Sequence, residues 1–137
     1  QSCAVSATGS LKCWPWGIGS NKDLPPTEVE NAADVVDVAL GDSAQCLVQA
    51  DGTAKCWGEN MEAVLGLGYW GDSGEVVVTP QRVAFMRDAK QVSVGYYSAC
   101  AIQTSGQVMC WGADEDGQLG DGAKTRNRST PTNVVAP

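Results

Sequence analysis

Apolar residues along this chain come in short bursts, and each burst stops at glycine, proline or a small polar residue. Val35-Val36-Asp37-Val38-Ala39-Leu40 ends at Gly41, Cys46-Leu47-Val48-Gln49 runs into Ala50-Asp51-Gly52, and Gln91-Val92-Ser93-Val94 ends at Gly95. Runs of this length bounded by turn residues predict strands rather than long helices. The 16 glycines and six prolines among 137 residues fit that reading, because both residue types punctuate turns. The expectation is an all-β chain of many short strands.

Six cysteines impose a repeat on this pattern. They form three Cys-x9-Cys pairs: Cys3 and Cys13, Cys46 and Cys56, Cys100 and Cys110. A tryptophan follows every second cysteine (Trp14, Trp57, Trp111), and Gly58 and Gly112 follow two of those, while the first copy reads Trp14-Pro15-Trp16-Gly17. Each copy carries a Pro-x-x-Val, at Pro26 to Val29, Pro80 to Val83 and Pro131 to Val134. Repeat boundaries are set at 1–34, 35–88 and 89–137.

If Cys46 faces Cys56 across an antiparallel pair, Gln49 faces Thr53 and the loop is Ala50-Asp51-Gly52. A three-residue loop ends in a left-handed residue, for which glycine is suited. The matching loops are Ala7-Thr8-Gly9 and Thr104-Ser105-Gly106, also with glycine third. Residues opposite one another on such strands lie within disulfide reach. Of the fifteen connectivities open to six cysteines, the local one is therefore preferred: Cys3–Cys13, Cys46–Cys56, Cys100–Cys110. Three pairs of reduced, half-buried cysteines are the alternative. A zinc site has no support, since no Cys-x2-Cys and no histidine is present. Disulfides would place the protein outside the reducing cytosol, secreted or on a cell surface.

Counting strands predicts Val35–Leu40, Ala44–Gln49, Thr53–Trp57 and Gln81–Phe85 in the second repeat. The third has Gln91–Val94, Ala99–Thr104, Gln107–Trp111 and Thr132–Val135. The first has only Ser2–Ser6, Leu11–Trp14 and Thr27–Val29, one strand short of four.

The order Val-x-x-Gly, then Cys100-Ala-Ile-Gln-Thr-Ser-Gly-Gln-Val-Met-Cys110-Trp-Gly, then Asp116-Gly-Gln-Leu-Gly-Asp-Gly122, then Pro-x-x-Val resembles the repeat of the regulator-of-chromosome-condensation family. The second copy keeps Gly58-Glu59-Asn60 and Leu65-Gly66-Leu67-Gly68; the first has lost that stretch. The resemblance implies antiparallel four-stranded propeller blades, normally seven in a closed ring. Three copies, with the first blade lacking a strand, would make an open propeller sector. The cysteine pairs resemble those of exported relatives. A sector ends in two blade faces, expected to be apolar, which soluble monomers rarely expose.

Composition narrows the chemistry. The net charge of −7 argues against a nucleic-acid partner. No apolar run approaches a membrane span, and no basic-then-apolar leader is present. The first residue, Gln1, suggests a processed mature protein or an excised piece. Without histidine, Ser-His-Asp and Cys-His catalysis are unavailable, and paired cysteines leave no thiolate. No enzyme activity, catalytic residue, metal or cofactor is expected. Asp114-Glu115-Asp116 with Asp121 is the densest acidic stretch; it lacks calcium-loop spacing and reads as a solvated turn. A carboxylate pair for glycoside hydrolysis has no supporting feature.

Trp14, Trp57 and Trp111 recur in register and are expected to pack within or between blades. Tyr69 and Trp70, on the long Gly-rich connection of the second copy, suit a partner contact; a loop folded over its own blade is the equal alternative. Asn127-Arg128-Ser129 is an N-glycosylation sequon in the last long loop, with Thr125, Ser129, Thr130 and Thr132 nearby. Two functions follow. One is an extracellular scaffold whose sectors assemble with copies of themselves into a ring, tube or filament. The other is a recognition module, part of a larger propeller, binding a protein or glycan through loops 59–79 and 113–130. Members of the family include exchange factors for small GTPases, a β-lactamase inhibitor and a plant light receptor, so the resemblance alone selects neither function.

Overall fold

Each Cys-x9-Cys interval folds as a hairpin in which cysteine stands opposite cysteine. Gly9, Gly52 and Gly106 close the three turns at φ 78°, 80° and 88°, a region glycine enters without the clash of a Cβ. Their N–H groups donate to Ser6, Gln49 and Gln103 carbonyls at 2.9 Å. The sulfurs are joined Cys3–Cys13, Cys46–Cys56 and Cys100–Cys110.

The computed structural model describes residues 1–14, 25–71 and 75–135. The strands are β1 (Ser2–Val5), β2 (Leu11–Trp14), β3 (Thr27–Glu28), β4 (Val35–Leu40), β5 (Ala44–Gln49), β6 (Ala54–Glu59), β7 (Val76–Arg82), β8 (Ala89–Val94), β9 (Ser98–Gln103), β10 (Val108–Ala113) and β11 (Asn127–Asn133), with a 3-10 turn at Met61–Ala63. They build three antiparallel sheets: β1-β2-β3, β4-β5-β6-β7 and β8-β9-β10-β11. Among the described residues the first sheet has no counterpart of β4 and β8, as expected.

The outermost strands differ from expectation. β7 and β11 begin well before the predicted Gln81 and Thr132 and run through Pro80 and Pro131. The expected strands start just after each proline, but an edge strand tolerates proline where no ladder N–H is needed. The Pro-x-x-Val valine then ties the strand end back: Val29, Val83 and Val134 N–H donate to the Leu11, Ala54 and Val108 carbonyls at 2.9, 2.9 and 3.0 Å. The Trp-Gly pairs mark a bulge in the outer ladders, between Cys56 and Gly58 and between Cys110 and Gly112. A Cβ at Gly58 or Gly112 would strike the Ser43 or Tyr97 carbonyl.

The sheets stack face to face, and alternation along each strand decides what is buried. The disulfide face of the first sheet (Val5, Leu11, Cys13) packs on Val35, Leu47 and Trp57 of the second. The disulfide face of the second (Ala44, Cys46, Val48, Ala54, Cys56) packs on Val92, Ala99, Ala101 and Trp111 of the third. Main-chain bonds reinforce both junctions. Val35 N–H donates to the Gly9 carbonyl at 2.9 Å, and Ala89 N–H to the Gly52 carbonyl at 3.0 Å. Asp37 Oδ2 accepts from Val92 N–H at 2.8 Å, and Lys55 Nζ donates to the Asn31 carbonyl at 2.8 Å.

The two end faces are less apolar than expected. On the third sheet's disulfide face, Gln91 and Ser93 are exposed beside Ile102, Val108 and the Cys100–Cys110 pair. On the outward face of the first sheet, Ala4 and Lys12 are exposed and Trp14 is half-buried. The pattern of Ile102 and Val108 still matches Val48 and Ala54 of the covered face, so the third face is a junction surface with polar substitutions.

Candidate protein-binding surface

Strand alternation places the turns 41–43 and 95–97, the described part of the connection after β6 (60–71 and 75) and the connection 114–126 at one end of the stacked sheets. The two turns touch, since a Cβ on Gly41 would lie 2.6 Å from the Gly95 carbonyl. Both connections start from a buried polar residue. Asn60 Oδ1 accepts from Leu65 N–H at 3.2 Å, and Asp114 Oδ1 accepts from Leu119 N–H at 3.2 Å. Asp114 is fully buried and also receives the Thr125 hydroxyl at 3.0 Å. It is a structural anchor and not part of a solvated turn, whereas Glu115 and Asp116 are exposed. A buried carboxylate persists only when its lone pairs are used, and five residues of connection supply that partner.

The connection after β6 is held by its own repeat, where Ala84 N–H donates to the Gly66 carbonyl at 2.8 Å, and by the third sheet as well. Trp111 Nε1 donates to the Val64 carbonyl at 2.7 Å, and Gly68 N–H donates to the Ser129 carbonyl at 2.8 Å. Glu62 and Ala63 adopt φ of 51° and 61°, strain of about 1–3 kcal/mol per residue that the surrounding contacts must hold. Glu62 accepts from Asn127 Nδ2 at 3.0 Å and stands 3.8 Å from Arg126 Nη2. The Arg126 guanidinium in turn sits 5.4 Å from the Trp70 ring centre, within cation–π range.

Held this way, the end surface presents Met61, Tyr69, Trp70 and Tyr96 to solvent, Trp70 at 55% and Tyr96 at 61% of full exposure. Tyr69 donates to Glu75 Oε1 at 3.1 Å; partial burial, then Glu75, push its hydroxyl pKa up. Tyr96 and Tyr97 meet edge to face with centres 4.3 Å apart. The Tyr97 pKa is raised by the Tyr96 hydroxyl first, then by burial, and then by the negative charges of Glu62 and Asp42. Residues from four separate loops therefore converge on one patch.

The remaining predicted residues have structural places. Trp111 and Trp57 are buried between sheets and Trp14 lines a cleft beside β3; Trp16 lies outside the described residues. Asp121 is almost enclosed and receives Arg128 Nη2 at 2.7 Å and Nε at 2.9 Å. The Ala123 N–H bond is the first cause, and Arg128 a further one, of its lowered pKa. Asn127 is the first residue of β11 rather than part of the loop, and its Nδ2, the atom a glycan would occupy, is engaged by Glu62. Among the described residues no group of three His, Cys, Asp or Glu side chains is placed to hold a metal, and no helix is long and apolar enough to cross a membrane. Glu62, Arg126, Tyr96, Tyr97 and Asp42 were not singled out from sequence. Their shared signal was position: all lie in turns or connections of the same strand parity.

Comparison with known proteins agrees with this architecture. A family model described as Regulator of chromosome condensation (RCC1) repeat matches residues 51–102 and 105–137, and a second of the same description matches residues 89–118. The probable E3 ubiquitin-protein ligase HERC6 of Homo sapiens is 33% identical over 103 residues, covering 73% of this chain and 10% of that protein. The ultraviolet-B receptor UVR8 of Arabidopsis thaliana is 29% identical over 148 residues, covering 99% of this chain and 32% of the receptor. The chain thus spans about a third or less of these relatives. Prp20p from Saccharomyces cerevisiae superposes with a TM-score of 0.77 at 18% identity, over 98% of this chain and 34% of that one. Human WBSCR16 superposes at 0.78 and 21% identity, over 97% and 35%. At such identities the structural matches speak to fold alone. The repeat model covers β6, β7 and the whole third sheet, and with them three of the four convergent loops: this chain belongs to the RCC1 repeat family of β-propellers.

Proposed function

We propose that this chain is a recognition module, a sector of an RCC1-type propeller that binds a partner protein through its loop end, outside the reducing cytosol. One observation carries the reading: Trp70 is exposed on a connection that the fold clamps to the neighbouring sheet. Trp, Tyr and Arg dominate interface energetics, and a pre-ordered loop avoids the entropy of ordering on binding. The yeast relative Prp20p is described by its binding to Gsp1p and histones, which are protein partners. The three disulfides support an oxidising location. The ligase relatives are proteins of which the chain covers about a tenth, and no ligase activity is proposed. The test is a photoreactive p-benzoylphenylalanine placed at position 70 and, separately, at the exposed Phe85 on the opposite end. A protein adduct at 70 that wild-type chain competes away and Trp70→Ala does not, with none at 85, supports the reading. Adducts equal at both positions defeat it.

A second reading, self-assembly into a ring or filament, draws support from the third sheet. Gly9 and Gly52 are each capped by the next sheet, with Asp34 Cα and Asp88 Cα 2.8 Å from where their Cβ would stand, whereas nothing lies within 4 Å of that point on Gly106. A copy's first sheet would offer Ala4, Lys12 and Trp14 to this face. It has no inner strand among the described residues to bond the Gly106 carbonyl, which ranks the reading second. Light scattering decides it: a strictly monomeric chain over a hundredfold concentration range ends it.

A further inference from the structure

Resting on the recognition reading, we propose that the loop end accepts a basic segment of a partner protein, with one cationic side chain seated at the Tyr96–Tyr97 corner near Asp42 and Glu62.

Charge is distributed unevenly between the two ends. Among the described residues the loop end carries Asp42, Glu59, Glu62, Glu75, Glu115 and Asp116. Against these stand Lys124 and Arg126, the latter 64% exposed beside Glu62 and Trp70, while Arg128 is committed to Asp121. The opposite end mixes Asp34, Asp51 and Asp88 with Lys55, Arg82 and Arg87, so the excess of a chain with net charge −7 is felt mainly at the loops. An interface favours the potential opposite to its own.

The apolar part of the patch says how such a partner would be held. Two phenol rings at 81° to one another offer adjoining faces, and ring faces attract Lys and Arg head groups. Asp42 belongs to the turn whose Gly41 abuts the Gly95 carbonyl. Glu62 is bonded to Asn127, the strand partner of Ala113, whose N–H donates to the Tyr97 carbonyl at 2.9 Å, so both carboxylates belong to elements that adjoin that corner. Glu62 already shows the mode in miniature, since it holds the chain's own Arg126 against Trp70. Exposed Met61 and Trp70 would receive the aliphatic stems of long basic side chains.

The experiment titrates octalysine and, in parallel, octaglutamate into the intact disulfide-bonded chain, following backbone amide shifts. Octalysine is expected to bind, to move residues 41–43, 60–71 and 95–97, and to weaken as salt rises. Tyr96→Ala should lower its affinity roughly two- to fivefold. Asp42→Asn with Glu62→Gln should lower it about fivefold or more, and Asp51→Asn with Asp88→Asn at the other end should leave it within about twofold. Unchanged circular dichroism shows that the variants fold. Octaglutamate binding as well as octalysine, at these same residues, overturns the cationic assignment while leaving the loop end as the binding surface. Octalysine shifts centred on the opposite end overturn both.

Discussion

Cys46–Cys56 and Cys100–Cys110 occupy equivalent points of the second and third sheets, yet the first pair is fully buried while Cys100 is partly open to solvent. The same holds around them. Ala44, Val48 and Ala54 are sealed, and their counterparts Ser98, Ile102 and Val108 are wholly or partly accessible. Asp37 spends its carboxylate on the next sheet's Val92 N–H, and its counterpart Gln91 faces solvent. Strand register and turn geometry are thus properties of each repeat, while burial is a property of each junction. A repeat presents one face that is finished only by what packs upon it.

That comparison can be broken most forcefully at Trp111, which is buried at the covered junction and bonded to Val64. Trp111→Ala should cost about 3–5 kcal/mol in urea unfolding, while the exposed Trp70→Ala should stay within about 0.5 kcal/mol. Similar costs would mean the connection after β6 is not held by the third sheet. Next come the hairpin glycines. Gly106→Ala should cost roughly 1–2 kcal/mol for its left-handed backbone alone. Gly52→Ala adds a clash with Asp88 and should cost about 2–4 kcal/mol; equal values would dissolve the distinction between capped and uncapped hairpins.

Reduction probes the same asymmetry by rate. Under mild thiol, alkylation mass mapping should find Cys100–Cys110 opened before Cys46–Cys56, because exchange needs access to a sulfur. Each bridge lost should remove about 3 kcal/mol on the chain-entropy model. The smallest effect concerns pH. Thr53, through its backbone N–H and its hydroxyl, holds the Asp51 carboxyl below its ordinary pKa. A depressed folded pKa contributes stability that is present above the unfolded value and lost as pH falls through the folded one. The third hairpin uses Ser105, which does not titrate there. Below about pH 4, protection of the Thr53 amide relative to its intrinsic exchange rate should fall while that of Gln107 holds steady, and Asp51→Asn should abolish the change.

Much of the fold was legible because its signals are local. Cysteine spacing, the third-position glycines and the Trp-Gly pairs each report on contacts within about ten residues, so hairpin register could be read directly. The outer strands were misplaced because Pro80 and Pro131 stop a central strand but not an edge strand, and edge status is not local. Trp70 stood out through its Gly-rich connection. Its companions Glu62, Arg126, Tyr96 and Asp42 did not, because nothing in their spacing announces that four loops meet. Asp114 was misread for a related reason: Asp-x-Asp-Gly resembles an exposed turn until the packing of Leu119 carries the first aspartate inside.

By itself, then, the order of residues determined the hairpins, their sulfur pairing and the stacking repeat, since backbone geometry and short loops leave few other solutions. Only the tertiary structure decided which carboxylates are buried, which arginines are spent and which aromatics remain free, because those depend on one sheet's loops meeting the next across more than fifty residues of chain.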